Sequence, residues 1–169
     1  MCGDYEDLLP SDLFDKVSEQ LHAAYLQEAP ASHQKLIRGT VWGVSMRPVI
    51  SLPVQVSGAI TTMSTSKPLN VHFLYLEVSP QTYLSAEAKR ALGLDDMVVV
   101  GESVTTDTGG RSIQLPLLLN GYRVAVAQSP AKSHFAHLNI LGNDFVRAAG
   151  AQVLFGGDGE TPQFEIYFP

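Results

Sequence analysis

The chain has 169 residues, 45% hydrophobic and 17% charged, with a net charge of −6, which suffices for one domain with a real core. Its 11 Lys and Arg residues form no run, which argues against a phosphate-gripping nucleic-acid interface. No window has the length of a membrane-spanning helix, and a single cysteine, Cys2, excludes an internal disulfide or a Cys-based metal site.

The first stretch reads as helical. Pro10 precedes a candidate N-cap, Ser11, and Asp12 and Asp15 place negative charge on the first turn, where the helix dipole favours it. Phe14, Val17, Leu21, Ala24 and Tyr25 recur at steps of three and four and predict one apolar stripe, with Pro30 ending the helix. Such a helix either docks a partner or covers a face of its own domain. Ala29 to Gly39 reads as a linker, so the chain divides into a helical extension at 1–38 and a main domain at 39–169. The acidic start lacks the basic region of a secretory signal, and the expected location is cytoplasmic or nuclear.

From Val41 the pattern turns to short β-branched and aromatic runs between turn residues. Strands are predicted at Pro53 to Met63, Leu69 to Leu76, Met97 to Thr105, Ser112 to Leu119, Tyr122 to Ala127, Gln152 to Phe155 and Gln163 to Phe168. Asn120-Gly121 is a type I′ hairpin signal. Asp107-Thr108-Gly109-Gly110 and Gly156-Gly157-Asp158-Gly159 mark two further turns. Short helices are expected at Ala86 to Ala91, capped by Ser85, and at Asn143 to Ala149, stopped by Gly150.

One segment carries the functional signal. Phe73-Leu74-Tyr75-Leu76-Glu77-Val78-Ser79-Pro80-Gln81-Thr82-Tyr83-Leu84-Ser85, followed by a short helix and Leu92-Gly93-Leu94, resembles the active-site segment of retropepsin-like aspartic proteases. There an apolar strand enters Asp-Thr-Gly-Ser-Pro-x-Thr-Tyr-Leu-Ser. The later Asn139-Ile140-Leu141-Gly142-Asn143-Asp144-Phe145-Val146 is similar to the family's second conserved strand and helix. The resemblance spans Val54 to Pro169 and implies a mainly β, closed barrel with two short helices, to which this chain adds its N-terminal helical extension. It implies that Ile140, Leu141 and Gly142 pass behind the active-site turn. It also implies a homodimer whose terminal strands interleave, here through Phe164, Ile166 and Phe168 on an otherwise open edge.

The family's catalytic tripeptide is replaced by Leu76-Glu77-Val78. Aspartic proteolysis needs two carboxylates sharing one proton, one acting as base on a water and the other as acid toward the scissile carbonyl. Leu76 exchanges no proton, Glu77 replaces a bracing threonine, and Val78 replaces a glycine that lets the turn fold tightly. The three replacements favour ordinary apolar strand, and alternation along it points Glu77 away from the face of position 76. The expected function is therefore a non-catalytic, retroelement-derived pseudoprotease domain serving dimerisation or peptide binding, with Leu76, Glu77, Ser79, Asp107 and Gly109 lining the cleft and no cofactor. The alternative is an active endopeptidase using Asp107 or another displaced carboxylate. Asp107-Thr108-Gly109 spells the catalytic tripeptide, but a polar lead-in, Glu102-Ser103-Val104-Thr105-Thr106, marks it as a flap tip. A third reading is a segment of a retroelement-type polyprotein. His134 and His137, with Asp144, have no third ligand at suitable spacing, so no metal is expected.

Overall fold

The computed structural model describes residues 8–57, 67–94, 103–105, 111–130, 132–133, 135–158 and 160–169, with backbone alone at 103–105 and 111–113. Two short helices, α1 (Pro10–Phe14) and α2 (Lys16–Leu21), precede strands β1 (Leu36–Arg38), β2 (Thr40–Trp42), β3 (Arg47–Val56), β4 (Leu69–Tyr75) and β5 (Tyr83–Leu84). Helix α3 (Ala86–Ala91) follows, then β6 (Ser103–Thr105), β7 (Arg111–Leu119), β8 (Tyr122–Gln128) and β9 (Asn139–Leu141). Helix α4 (Asn143–Ala149), β10 (Gln152–Gly156) and β11 (Gln163–Tyr167) close the order. Among the described residues no helix is long and apolar enough to cross a membrane.

The protein is mainly β, built on a closed six-stranded barrel in which β3, β4, β9, β5, β8 and β7 pair in turn and β7 returns to β3. Closure removes the sheet edges that an open β layer would expose. The prolines sit where the ladder spares them. Pro53 lies in β3 between its pairings with β2 at residues 47–49 and with β7 at 54–56, and Pro116 pairs on its β8 side alone. The Asn120-Gly121 turn joins β7 to β8 with both residues at positive φ, 48° and 82°, as a type I′ hairpin requires.

Asn70–Tyr75 of β4 are buried at every position, because both faces of this strand are covered. On one side His72 contacts the N-terminal segment, its ring 4.9 Å from that of Tyr25. Ser18 Oγ donates to Leu13 O at 2.6 Å and accepts the Tyr25 N–H at 3.1 Å. Its single proton is thereby committed, so the 3.0 Å contact with His72 Nε2 is donated by the imidazole. His72 Nδ1 is buried and makes no hydrogen bond among the described residues. Asn139 completes the layer: its Nδ2 donates to Tyr25 Oη at 2.8 Å and His72 O at 3.0 Å, and its Oδ1 accepts the Ser85 N–H at 2.8 Å.

The N-terminal segment differs from the single capped helix expected. The N-cap is Leu9, with Pro10 at the first helical position and the Leu9 N–H donating to Asp12 Oδ2 at 2.9 Å. Proline tolerates that place because its missing N–H would have no helical partner there. The helix breaks at Asp15 (φ −99°, ψ −94°) and ends at His22 in the left-handed region, well before Pro30. Leu8, Leu13 and Val17 are nonetheless fully buried in the same core as the barrel. At roughly 1.5–3 kcal/mol for each such side chain, this segment is an integral wall of the domain.

The strands also differ from their expected places. The supposed linker Ala29 to Gly39 contains β1, which pairs with β11 across the expected 38/39 boundary. The terminal strand β11 is consequently no edge: it is the middle of a three-stranded sheet, β1-β11-β10. Phe164, Ile166 and Phe168, expected at a dimer interface, are buried in the chain's own core at 1%, 0% and 5% exposure. β3 begins six residues earlier than predicted, at Arg47, and ends at Val56. The remainder of that prediction (58–63), most of Met97 to Thr105, and the Asp107–Gly110 turn lie outside the described residues.

Candidate functional site

The segment that carries the sequence signal is the connector between β4 and β5, residues 76–82. β4 and β5 do not pair with each other. β9 runs between them, parallel to β4 (Leu74 opposite Ile140) and antiparallel to β5 (Tyr83 opposite Ile140). Ile140 and Leu141 thus pass directly behind the connector, and both are buried.

β4 stops at Tyr75, opposite Leu141, where its guide strand β9 also ends. The Leu76 N–H takes the last carbonyl, Leu141 O, at 3.1 Å, and the Ser79 N–H closes a turn on Leu76 O at 3.0 Å. Leu76 leans half-buried on the core, while Glu77 and Val78 form the exposed tip, Val78 at 90% exposure. The expected continuous strand through these residues is therefore a turn. Ser79 spends its hydroxyl on Gln81 O at 2.7 Å. Burial, aided by the negative charge of Glu77, pushes the Tyr75 phenol above its ordinary pKa.

The base of the connector is held by α4. Thr82 is fully buried; its N–H donates to Asp144 Oδ2 at 3.0 Å and its O–H to Asp144 Oδ1 at 2.6 Å. Thr82 Oγ1 in turn accepts the Gly142 N–H at 3.1 Å, and the Asn143 N–H donates to Ser79 O at 2.9 Å. A side chain at Gly142 would strike the Gln81 carbonyl, so only glycine permits this close passage. The Asp144 carboxylate, already accepting from Thr82, also takes the Phe145 N–H at 2.8 Å and works as a brace.

A groove of about 300 Å³ lies between the turn and α4, lined by Glu77, Val78, Pro80, Asn143, Asp144 and Arg147. A wider one of about 480 Å³ continues past Pro80 and Gln81 toward Gln114, Arg123 and Ala125. Of the residues expected to line a cleft, the structure brings Leu76, Glu77 and Ser79 together on one turn, while Asp107 and Gly109 lie outside the described residues, as does His134, weighed above as a metal ligand. His137 donates its Nε2–H to Leu8 O at 2.8 Å, and among the described residues no three His, Cys, Asp or Glu side chains gather as a metal site. Sequence reasoning missed Thr82 and Asp144, whose pairing spans 62 positions. No family model, curated protein or solved structure matches the chain.

Proposed function

We propose that this chain is a catalytically silent, retropepsin-like domain of retroelement origin, serving as a scaffold that binds a protein or peptide, a second copy of itself included. The observation that supports it most is the threading of β9 between β4 and β5 behind a turn that opens on Leu76. This is the place at which the resembled proteases put their catalytic aspartate. A saturated side chain there neither polarises a water nor shares a proton with a partner carboxylate.

The neighbouring acids do not supply the missing chemistry. Glu77 stands at an exposed tip, and Asp144 is committed to Thr82 and the Phe145 amide. What the connector does offer is surface: an exposed Val78 beside the groove that Glu77, Pro80 and Arg147 frame. Apolar surface rimmed by opposite charges suits a segment of polypeptide better than a small polar substrate.

The test is incubation of the purified protein with an unfolded protein substrate between acidic and neutral pH. The expected result is no cleavage above a blank at any pH. Cleavage that disappears in Glu77→Gln or in Asp107→Asn overturns the reading and restores the endopeptidase alternative.

A further inference from the structure

Helix α4 packs on β8. Along that strand Val124 and Val126 are buried in the barrel core, while Arg123 and Ala125 alternate with them on the outside and are exposed. The groove of about 480 Å³ that Arg123 and Ala125 line with Gln114, Gln81 and Ala148 therefore lies on the outer face of the barrel. It shares Pro80 and Asp144 with the narrower groove beside the turn, so the two form one trough. Neither is lined by Leu76 or Ser79, which sets the trough apart from the cleft that the resemblance implies.

The chemistry of the trough is set by what the fold leaves unused. Asp144 is already used, since its carboxylate accepts from the Thr82 amide, the Thr82 hydroxyl and the Phe145 amide. Arg123 and Arg147 are exposed, and among the described residues neither guanidinium makes an ion pair or a hydrogen bond. Arg147 and Ala148 follow Asp144 by three and four positions on α4, so the arginine shares the helix face that borders the trough. The carboxamides of Gln81 and Gln114 also lack a partner among the described residues. Each offers two N–H donors and a carbonyl acceptor.

We propose that this trough binds an extended acidic segment of a partner protein, with two of its carboxylates on Arg123 and Arg147 and its backbone on Gln81 and Gln114. The inference rests on the scaffold reading above and names the chemistry of the partner. A guanidinium fork matches a carboxylate through two parallel bonds. Carboxamides match the alternating N–H and C=O groups of a peptide, whereas a phosphodiester backbone presents acceptors alone and leaves the glutamine carbonyls without donors. Ala125, Ala148 and Pro80 keep the floor low, so a main chain can come close. The net charge of −6 does not forbid an acidic occupant. Charges beyond about 8–10 Å are screened at physiological salt, so the local arginines decide. The carboxylates lining the trough are Asp144, committed within the fold, and Glu77, at the tip of the turn and outside the wider groove.

Amide NMR shifts of the isotope-labelled full chain test this, with a short peptide of alternating Glu and Val as the probe. Alternation puts every Glu on one face of an extended strand. The peptide is expected to shift the amides of Gln81, Ala125 and Ala148 saturably and to bind at least about tenfold more tightly than the same peptide with Gln for Glu. Arg123→Glu and Arg147→Glu are each expected to weaken binding at least about tenfold, whereas Arg38→Gln, in the three-stranded sheet, leaves it unchanged. No saturable shift at these amides, or binding unmoved by both reversals, overturns the inference. Equal shifts from inorganic phosphate or a thymidine oligonucleotide overturn it as well, since the site then takes any anion. Equal binding of the Gln peptide overturns the acidic preference and leaves the scaffold reading standing. That reading falls separately, by proteolysis in the cleavage assay.

Discussion

One carboxylate, that of Asp144, holds both the amide and the hydroxyl of Thr82, at 3.0 and 2.6 Å, and so ties the β4–β5 connector to α4. Removing either partner strands buried donors. Asp144→Ala is expected to cost about 1.5–3 kcal/mol, the range for hydrogen bonds to a charged group. Thr82→Val removes the hydroxyl and the acceptor of the Gly142 amide. Urea denaturation of both single variants and the double variant measures the coupling. The double variant should cost less than the two singles summed, and simple additivity refutes the brace.

Gly142→Ala probes the passage behind the connector. The obstruction is the Gln81 backbone, which has no flexible end to swing aside. A loss of about 1–3 kcal/mol is expected, as for other over-packed sites. A Tm equal to wild type refutes the close approach.

His72 makes stability depend on pH. Burial lowers its pKa from 6.5 to about 4, and the Ala23 backbone offsets only part of that effect. The unfolded chain binds that proton below pH 6.5 and the folded chain only near 4. The contribution is therefore fully present above 6.5 and is lost as pH falls toward 4. It amounts to about 3 kcal/mol at about 1.4 kcal/mol for each pKa unit. Denaturation midpoints of wild type and His72→Leu, compared between neutral pH and pH 4, should show the wild type falling more steeply; parallel curves refute it.

Asn139 satisfies three groups at once, and Asn139→Leu leaves the Ser85 amide without its acceptor in the core. The expected cost is about 2–3 kcal/mol. By contrast Glu165→Gln, at a surface pair whose Arg38 side chain is 77% exposed, should change stability by less than about 1 kcal/mol. Thermal unfolding of the two variants side by side checks the ranking, and equal losses refute it.

The sequence is legible where local chemistry decides. Ser85 caps α3 by accepting the Ala88 N–H, Gly150 ends α4 at φ 59°, and Asn120-Gly121 makes its hairpin. It is illegible where distant partners decide. β1 and β2 are three residues each, too short to show a period, and exist because β11 and β3 supply their ladders. The break at Asp15 and the turn that replaces strand at Glu77-Val78 likewise follow from packing and from where β9 ends. The connector was found through its resemblance, but nothing in the chain announces that Thr82 belongs to Asp144. Nor does anything announce that His72, a polar residue in an apolar run, lies 1% exposed under Ser18 and Tyr25.

The pairing of β1 with β11 sets an order of events during synthesis. Leu36–Arg38 leaves the ribosome with its ladder partner, Gln163–Tyr167, still untranslated. Until that partner arrives, Ile37 waits without its final covering, and so does the Tyr75 ring that Phe164 will cap. Nascent chains of this kind fold late and slowly, since contacts between distant segments form only after long loops close. While they wait, their unpaired strands and uncovered apolar side chains are open to mispairing.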